Sequence, residues 1–257
     1  MKPEKKYNND NNPPTRKLTD HERRALELQI HKNILNGFDE ILSATEEWLT
    51  LKSTENYFKK QSGRLVEFME TSGIRDEWQN IINKRATKGA DIIEEIYNYG
   101  RNKGLSEIVE YTQTERRIIN NLADYNYELI KEVTEDHVRS IRSRLIDDFG
   151  MGVNPRNTNL KEMTELPGIR GWSPEYRAEL IARTETARAT NIGTLQQYKA
   201  DGAQFVELIV NTDCDECGAH AGEKVPIDEA LNEPIFHPNC KCTWKPATND
   251  ATGLRFA

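Results

Sequence analysis

Cysteine is missing from the first 213 residues of this 257-residue chain. A disulfide framework, usually spread through a small secreted domain, therefore describes it poorly. Long apolar runs are missing too, and nothing approaches the ~18–20 residues that a membrane helix needs. The stretch from Met1 to Pro14 is rich in Asn and Lys and has no apolar core, which excludes a secretory signal. Apolar residues make up only 36% of the chain against 30% charged, with a mean hydropathy of −0.78. Such polarity suits long, solvent-facing helices. Nor is positive charge in excess: 35 Lys and Arg stand against 42 Asp and Glu, a net charge of −7. A globally basic nucleic-acid coat is excluded, although a local basic patch is not. These absences describe a soluble protein made inside a cell and long enough to bury a real core.

What is present is mostly helical periodicity. Residues 1–17 are polar, and Pro13-Pro14 cannot enter a helix, so they read as a flexible arm. Thr19-Asp20-His21-Glu22 fits a capping box, in which hydroxyl and carboxylate satisfy orphan backbone donors. Apolar residues then recur at Ile30, Ile34, Phe38, Ile41, Leu42, Trp48 and Leu49, close to a helical period. Gly63 and Gly73 punctuate the middle. A second amphipathic segment runs through Trp78, Ile81, Ile82, Ile92, Ile93 and Ile96, with Gly89 inside it as a weak point. Gly100 to Gly104 reads as a turn.

The longest stripe follows, from about Ser106 to Phe149, through Ile108, Ile118, Ile119, Leu122, Tyr125, Leu129, Ile130, Val133, His137, Ile141 and Leu145. Thr112 and Glu115 form another capping box that would break it, and Gly150-Met151-Gly152 ends it. Residues 153–172 are loop-like. Ser173-Pro174 supplies an N-cap followed by proline at the first helical position. That helix runs to about Ala200, with Leu180, Thr184, Ala187, Asn191, Leu195 and Tyr198 on one face and Gly202 at its end. Phe205 to Val210 is the first convincing strand, and small strands are expected around Lys224–Ile227 and Lys241–Trp244.

The sharpest chemical signal lies at the C-terminal end. Cys214 and Cys217 are spaced C-x2-C; Cys240 and Cys242 follow, with His237 three positions ahead of Cys240. A tetrahedral zinc site needs soft thiolate or imidazole ligands, and a C-x2-C turn aims two sulfurs at one ion. In an extended segment residues i and i+2 share a face, so Cys240 and Cys242 point inward while Lys241 points out. Five candidates thus compete for four positions. The four cysteines are the preferred set, and the rival replaces one of the last two with His237. Disulfides, free core thiols and a site that has lost its metal are the alternatives; a reducing compartment and the spacing favour zinc. The surrounding module is small, so one ion would act as a structural staple, and with enough ligands to close the shell it is not read as catalytic.

The run Ile181-Ala182-Arg183-Thr184-Glu185-Thr186, the helix to Tyr198, then Asp213-Cys214-x2-Cys217 and His237-Pro238-x-Cys240-Lys241-Cys242 resemble the phage Mu F-like minor head proteins, also called head morphogenesis proteins. The resemblance covers roughly residues 135–246; Lys241 departs mildly from the arginine more usual there. It implies a structural protein of the virion head, present in few copies, working with the portal and with capsid and scaffold proteins in head assembly and genome packaging or ejection. Transient contact with phage DNA, and a stay in the host cytoplasm during assembly, belong to the same implication.

The fold expected is α+β: after the arm, an elongated helical region at 18–134, then a head morphogenesis domain at 135–246. Its zinc-stapled module lies at 205–246, and a tail follows at 247–257. No repeat with a period of about 20–50 residues is present. An assembly role is expected, not an enzyme. One alternative is a zinc-ribbon nucleic-acid-binding protein, against which Asp213, Asp215, Glu216, Glu223, Asp228, Glu229 and Glu233 make the window acidic. The other is an ADP-ribosyltransferase-like enzyme using Arg183 and Glu185, for which neither a Glu-x-Glu near a strand nor a Gly-rich phosphate loop is seen. The blander readings are a self-paired helix face, Arg183 with Glu179 and Glu185 with Arg188, or a structural anchor in which Arg183 and Glu185 fix the helix against the zinc module or a partner. Arg139, Arg142 and Arg144 are read as a solvated flank with an outside claim on DNA or the portal. His137 is read as packed, His220 as a loop histidine, and Tyr97, Tyr99, Tyr125 and Tyr127 as helix-packing residues.

Overall fold

The computed structural model describes residues 19–51, 54, 57, 65–102, 111–151, 173–210 and 215–247. The arm, Gly63, Gly104, Gly152, the 153–172 stretch, Cys214 and the tail beyond residue 247 lie outside them. The elements are α1 (Asp20–Thr50), α2 (Leu65–Thr71), α3 (Ile74–Asn102), α4 (Gln113–Gly150), α5 (Pro174–Ala200), β1 (Phe205–Ile209), α6 (Asp215–Gly218), β2 (Lys224–Pro226), α7 (Ile227–Asn232) and β3 (Thr243–Pro246). The α+β class holds: long helices precede one small antiparallel sheet of order β2-β1-β3.

The helix starts follow from local chemistry. Glu22 N–H donates to Thr19 Oγ1 (3.3 Å) while Thr19 N–H donates to Glu22 Oε2 (2.8 Å), a reciprocal capping box. Thr112 and Glu115 repeat it at α4, at 2.8 and 3.2 Å. Tyr176 N–H donates to Ser173 Oγ (3.2 Å) ahead of α5. At the far end of α5, Gly202 takes φ +88°, and Ala203 N–H reaches back to Tyr198 O (2.9 Å). A left-handed residue there lets the chain turn back and satisfy an orphan carbonyl.

The chain groups into two compact units, and α1, α3, α4 and α5 each contribute to both. One holds the described residues of Leu26–Ile93 and Leu122–Glu185; the other holds those of Met1–Ala25, Glu94–Asn121 and Thr186–Ala257.

In the all-helical unit, the α1 stripe packs with Trp78, Ile81, Ile82, Ile141 and Leu145. Two polar side chains share that stripe. Thr45 donates to Ile41 O (2.7 Å) and accepts from Trp78 Nε1 (3.1 Å). Asn33 Nδ2 donates to Arg85 O (2.7 Å), and Arg85 makes a two-pronged pair with Glu40, at 3.0 and 2.6 Å. The Arg85 hydrogen bond is the main reason the Glu40 carboxyl lies below its ordinary range.

Two expectations are corrected in this unit. Gly89 is not a weak point: a Cβ there would stand 2.0 Å from Ile130 Cδ1, so the missing side chain lets α4 approach α3. Tyr125 is 49% exposed, and Asn126 takes the inward position, its Nδ2 donating to Leu122 O (2.9 Å).

In the mixed unit, Gly100 does not begin a turn, because α3 continues helically to Asn102. A Cβ on Gly100 would stand 2.2 Å from Thr190 O, and one on Gly193 would stand 2.4 Å from Tyr97 O and 2.7 Å from Arg101 N. The two glycines let α3 and α5 cross backbone to backbone, with Thr194 Oγ1 donating to Gly100 O (3.3 Å). Backbone cannot step aside as a side-chain tip can. Gly193→Ala is therefore expected to cost about 3 kcal/mol, the upper end for overpacking, read as a fall in the urea midpoint; an unchanged midpoint would refute the contact. Nearby, Arg101 pairs with Glu115. Burial pushes the Glu115 carboxyl up, but hydrogen bonds from Arg101 and Thr112 outweigh it and leave it lowered.

The sheet is built on β1. Val206 and Leu208 face inward, while Phe205 (38%) and Ile209 (45%) face out. Val206 pairs with Val225 of β2, and Leu208 with Trp244 of β3. The expected second strand ends one residue early, where Ile227 opens α7, and the third lies slightly later, at Thr243–Pro246.

Candidate metal centre

Under the sheet lies a small core of Leu195, Val206, Leu208, Ile227, Ile235 and Trp244, together with Cys217, Cys240 and Cys242. All three thiols are buried, and their sulfurs lie within 4.8 Å of one another. Different pieces of chain deliver them. Cys217 sits in the single turn α6, whose carbonyl accepts from His220 N–H (3.0 Å). Cys240 follows Asn239, a non-glycine residue at φ +62°, where asparagine is among the few side chains tolerated. Cys242 comes two residues on, with Lys241 exposed between them, so the alternation holds although β3 begins only at Thr243.

The donor set fits a soft ion. A tetrahedral zinc with Zn–S bonds of about 2.3 Å places its sulfurs roughly 3.8 Å apart. Cys217 and Cys240 are 3.6 Å apart, and no disulfide joins any two of the three. Among the described residues, neither carboxylate nor imidazole belongs to this group. His237 is half-buried, its Nδ1 2.8 Å from the Pro238 carbonyl oxygen. His220 stacks on Phe236 (4.6 Å between centroids) and lies 3.2 Å from Glu223, as a loop histidine would.

The other sequence candidates do not converge on chemistry. Arg183 is exposed and pairs with Glu179 (2.6 Å), whereas Glu185 is buried at 2%. Two residues apart on a helix, they point about 200° apart. The groove between α1 and α3, about 580 Å³ and lined by Asp39, Glu40, Lys84 and Arg85 among others, includes neither of them. Arg139 bonds to Asp136 and Arg144 to Asp148, so two of the three clustered arginines engage carboxylates of their own helix. Exposed Asp215, Glu216, Glu223, Asp228, Glu229 and Glu233 give the sheet module an acidic surface, unlike that of a nucleic-acid-binding ribbon.

His137 is packed, 4.6 Å from Phe38 between ring centroids. Burial, reinforced by the Arg177 charge, lowers its pKa to about 4 from 6.5. The unfolded chain therefore binds a proton between those values that the fold refuses. Stability is complete above about pH 6.5 and falls toward pH 4 by up to about 1.4 kcal/mol per unit. Urea midpoints across that window should slope accordingly, and His137→Gln should flatten the slope. Equal slopes in both proteins would contradict this placement.

What these features define is a mainly helical chain carrying a small thiol-cored sheet. Residues 140–245 match the model of the family described as Phage Mu protein F like protein, so the resemblance read from the motifs is borne out over that span. The span is less than half of the 257-residue chain and runs from within α4 to β3. No curated protein and no solved structure matches significantly. Among the described residues, no helix is long and apolar enough to cross a membrane.

Proposed function

We propose that this chain is a minor head protein of a tailed phage that acts in head morphogenesis through protein–protein contact and not through catalysis. The match over residues 140–245 carries the reading. The pairing of Arg85, Arg139, Arg144 and Arg183 with carboxylates of this chain is compatible with it. The partners would be the portal and the capsid and scaffold proteins, with DNA touched only in passing. Its place would be the interior of the virion head, after a stay in the host cytoplasm.

The C-terminal module would be stapled by one zinc ion held by Cys217, Cys240 and Cys242, with Cys214 as the fourth ligand; the rival set puts His237 in place of Cys240 or Cys242. Bound there, the ion would supply cross-linking of two chain segments and no reaction step.

Quantitative mass spectrometry of purified particles tests the role. The chain should appear in a few copies per head and be absent from particles assembled without portal. Exclusion from particles, or a copy number equal to that of the shell subunit, would contradict it.

A further inference from the structure

We propose that Asn191 is the positioning residue of the thiol cluster; the inference rests on the metal reading above. Asparagine is a poor choice inside a helix, and a buried amide is costly unless its donors are used. Asn191 lies inside α5, well before its end at Ala200, with only 2% exposure. Both donors of its Nδ2 are used, one to Pro234 O (2.9 Å) and one to Cys242 O (3.1 Å). The Cys242 carbonyl belongs to a cluster cysteine. The Pro234 carbonyl opens the segment that turns through Asn239 into Cys240, and it also accepts from Trp244 Nε1 (3.2 Å).

One amide thus fixes both ends of the segment that delivers two of the three sulfurs. Two turns further along α5, Tyr198 donates its hydroxyl to Trp244 O (3.4 Å), on the residue whose indole shares the Pro234 carbonyl. Leu195 fills the core between them. The helix carries the cluster as a rigid support, in the way outer groups fix the ligands of metal sites generally.

Cobalt(II) is the probe, because its visible spectrum reports tetrahedral thiolate coordination. Asn191→Asp keeps the size and removes both donors; Asn191→Leu removes the amide altogether. Both should bind cobalt about 10–100-fold more weakly than wild type, with a shifted band, while Gln196→Ala on the same helix should not change. If a variant is unfolded without metal, saturating cobalt should restore its fold, since positioning and metal binding are linked; failure to restore it counts against the proposal. Wild-type affinity and spectrum in Asn191→Asp would overturn it. Should wild type take up no cobalt, the metal reading fails by itself. Phenylarsine oxide, which needs only two sulfurs within reach, then decides: slower capture by the Asn191 variants supports the positioning role, and equal capture overturns it.

Discussion

Replacing Cys217 by serine is expected to abolish stoichiometric zinc and to unfold the sheet module while leaving the helical core around Trp78 intact. The reasoning is one of scale. The module core is a handful of apolar side chains with three thiols in its centre, and its sheet has strands of only five, three and four residues. Sheets of this size are marginal without a staple. In small zinc folds the metal contributes about 10–16 kcal/mol of apparent binding free energy, much of it folding free energy. Amide hydrogen exchange would show it directly, with protection lost at Val206, Leu208 and Trp244 and kept at Ile41 and Ile82. Full protection of the sheet in metal-free Cys217→Ser would mean that the apolar contacts suffice alone.

The second large effect belongs to the helical unit. Trp78→Ala should lower stability by about 3–5 kcal/mol, the range for emptying a buried aromatic site. Trp78 is 2% exposed among Ile41, Leu42, Ile81, Ile82, Ile141 and Leu145. Its indole N–H also ends on Thr45 Oγ1, whose own proton goes to Ile41 O. The variant therefore leaves both a cavity and a buried hydroxyl with one fewer partner. Tyr125→Ala, at a half-exposed position of α4, should stay within about 0.5 kcal/mol. A Trp78→Ala loss below about 1 kcal/mol, measured by urea denaturation, would contradict the packing described.

How much of this was legible beforehand depended on the range of the interaction. Thr19 with Glu22, Thr112 with Glu115, and Ser173 with Pro174 are contained within four residues, so their spacing alone announced where helices begin. The α1 stripe and the inward Val206 and Leu208 were equally local, as periodicity reports which face is covered. Gly89, Gly100 and Gly193 were misread or passed over because their role is set by a partner far away in sequence. A glycine that admits a crossing helix looks, from inside its own segment, like a helix breaker. Asn126 displaced Tyr125 because an amide whose donor is used by its own helix can occupy an inward position, which apolar periodicity does not report. The convergence of Cys217, Cys240 and Cys242 was readable from soft-ligand spacing. The support from Asn191 was visible only as one member of a helix face, because the carbonyls that it serves are 43 and 51 residues away.

The proposed staple requires the C-terminal sulfurs to share one ion. X-ray absorption at the zinc edge on the purified full-length chain, paired with metal content, tests it most directly. One zinc per chain, surrounded by sulfur at about 2.3 Å, is the expected result. A folded chain without metal, or a zinc shell made of oxygen and nitrogen, would contradict it.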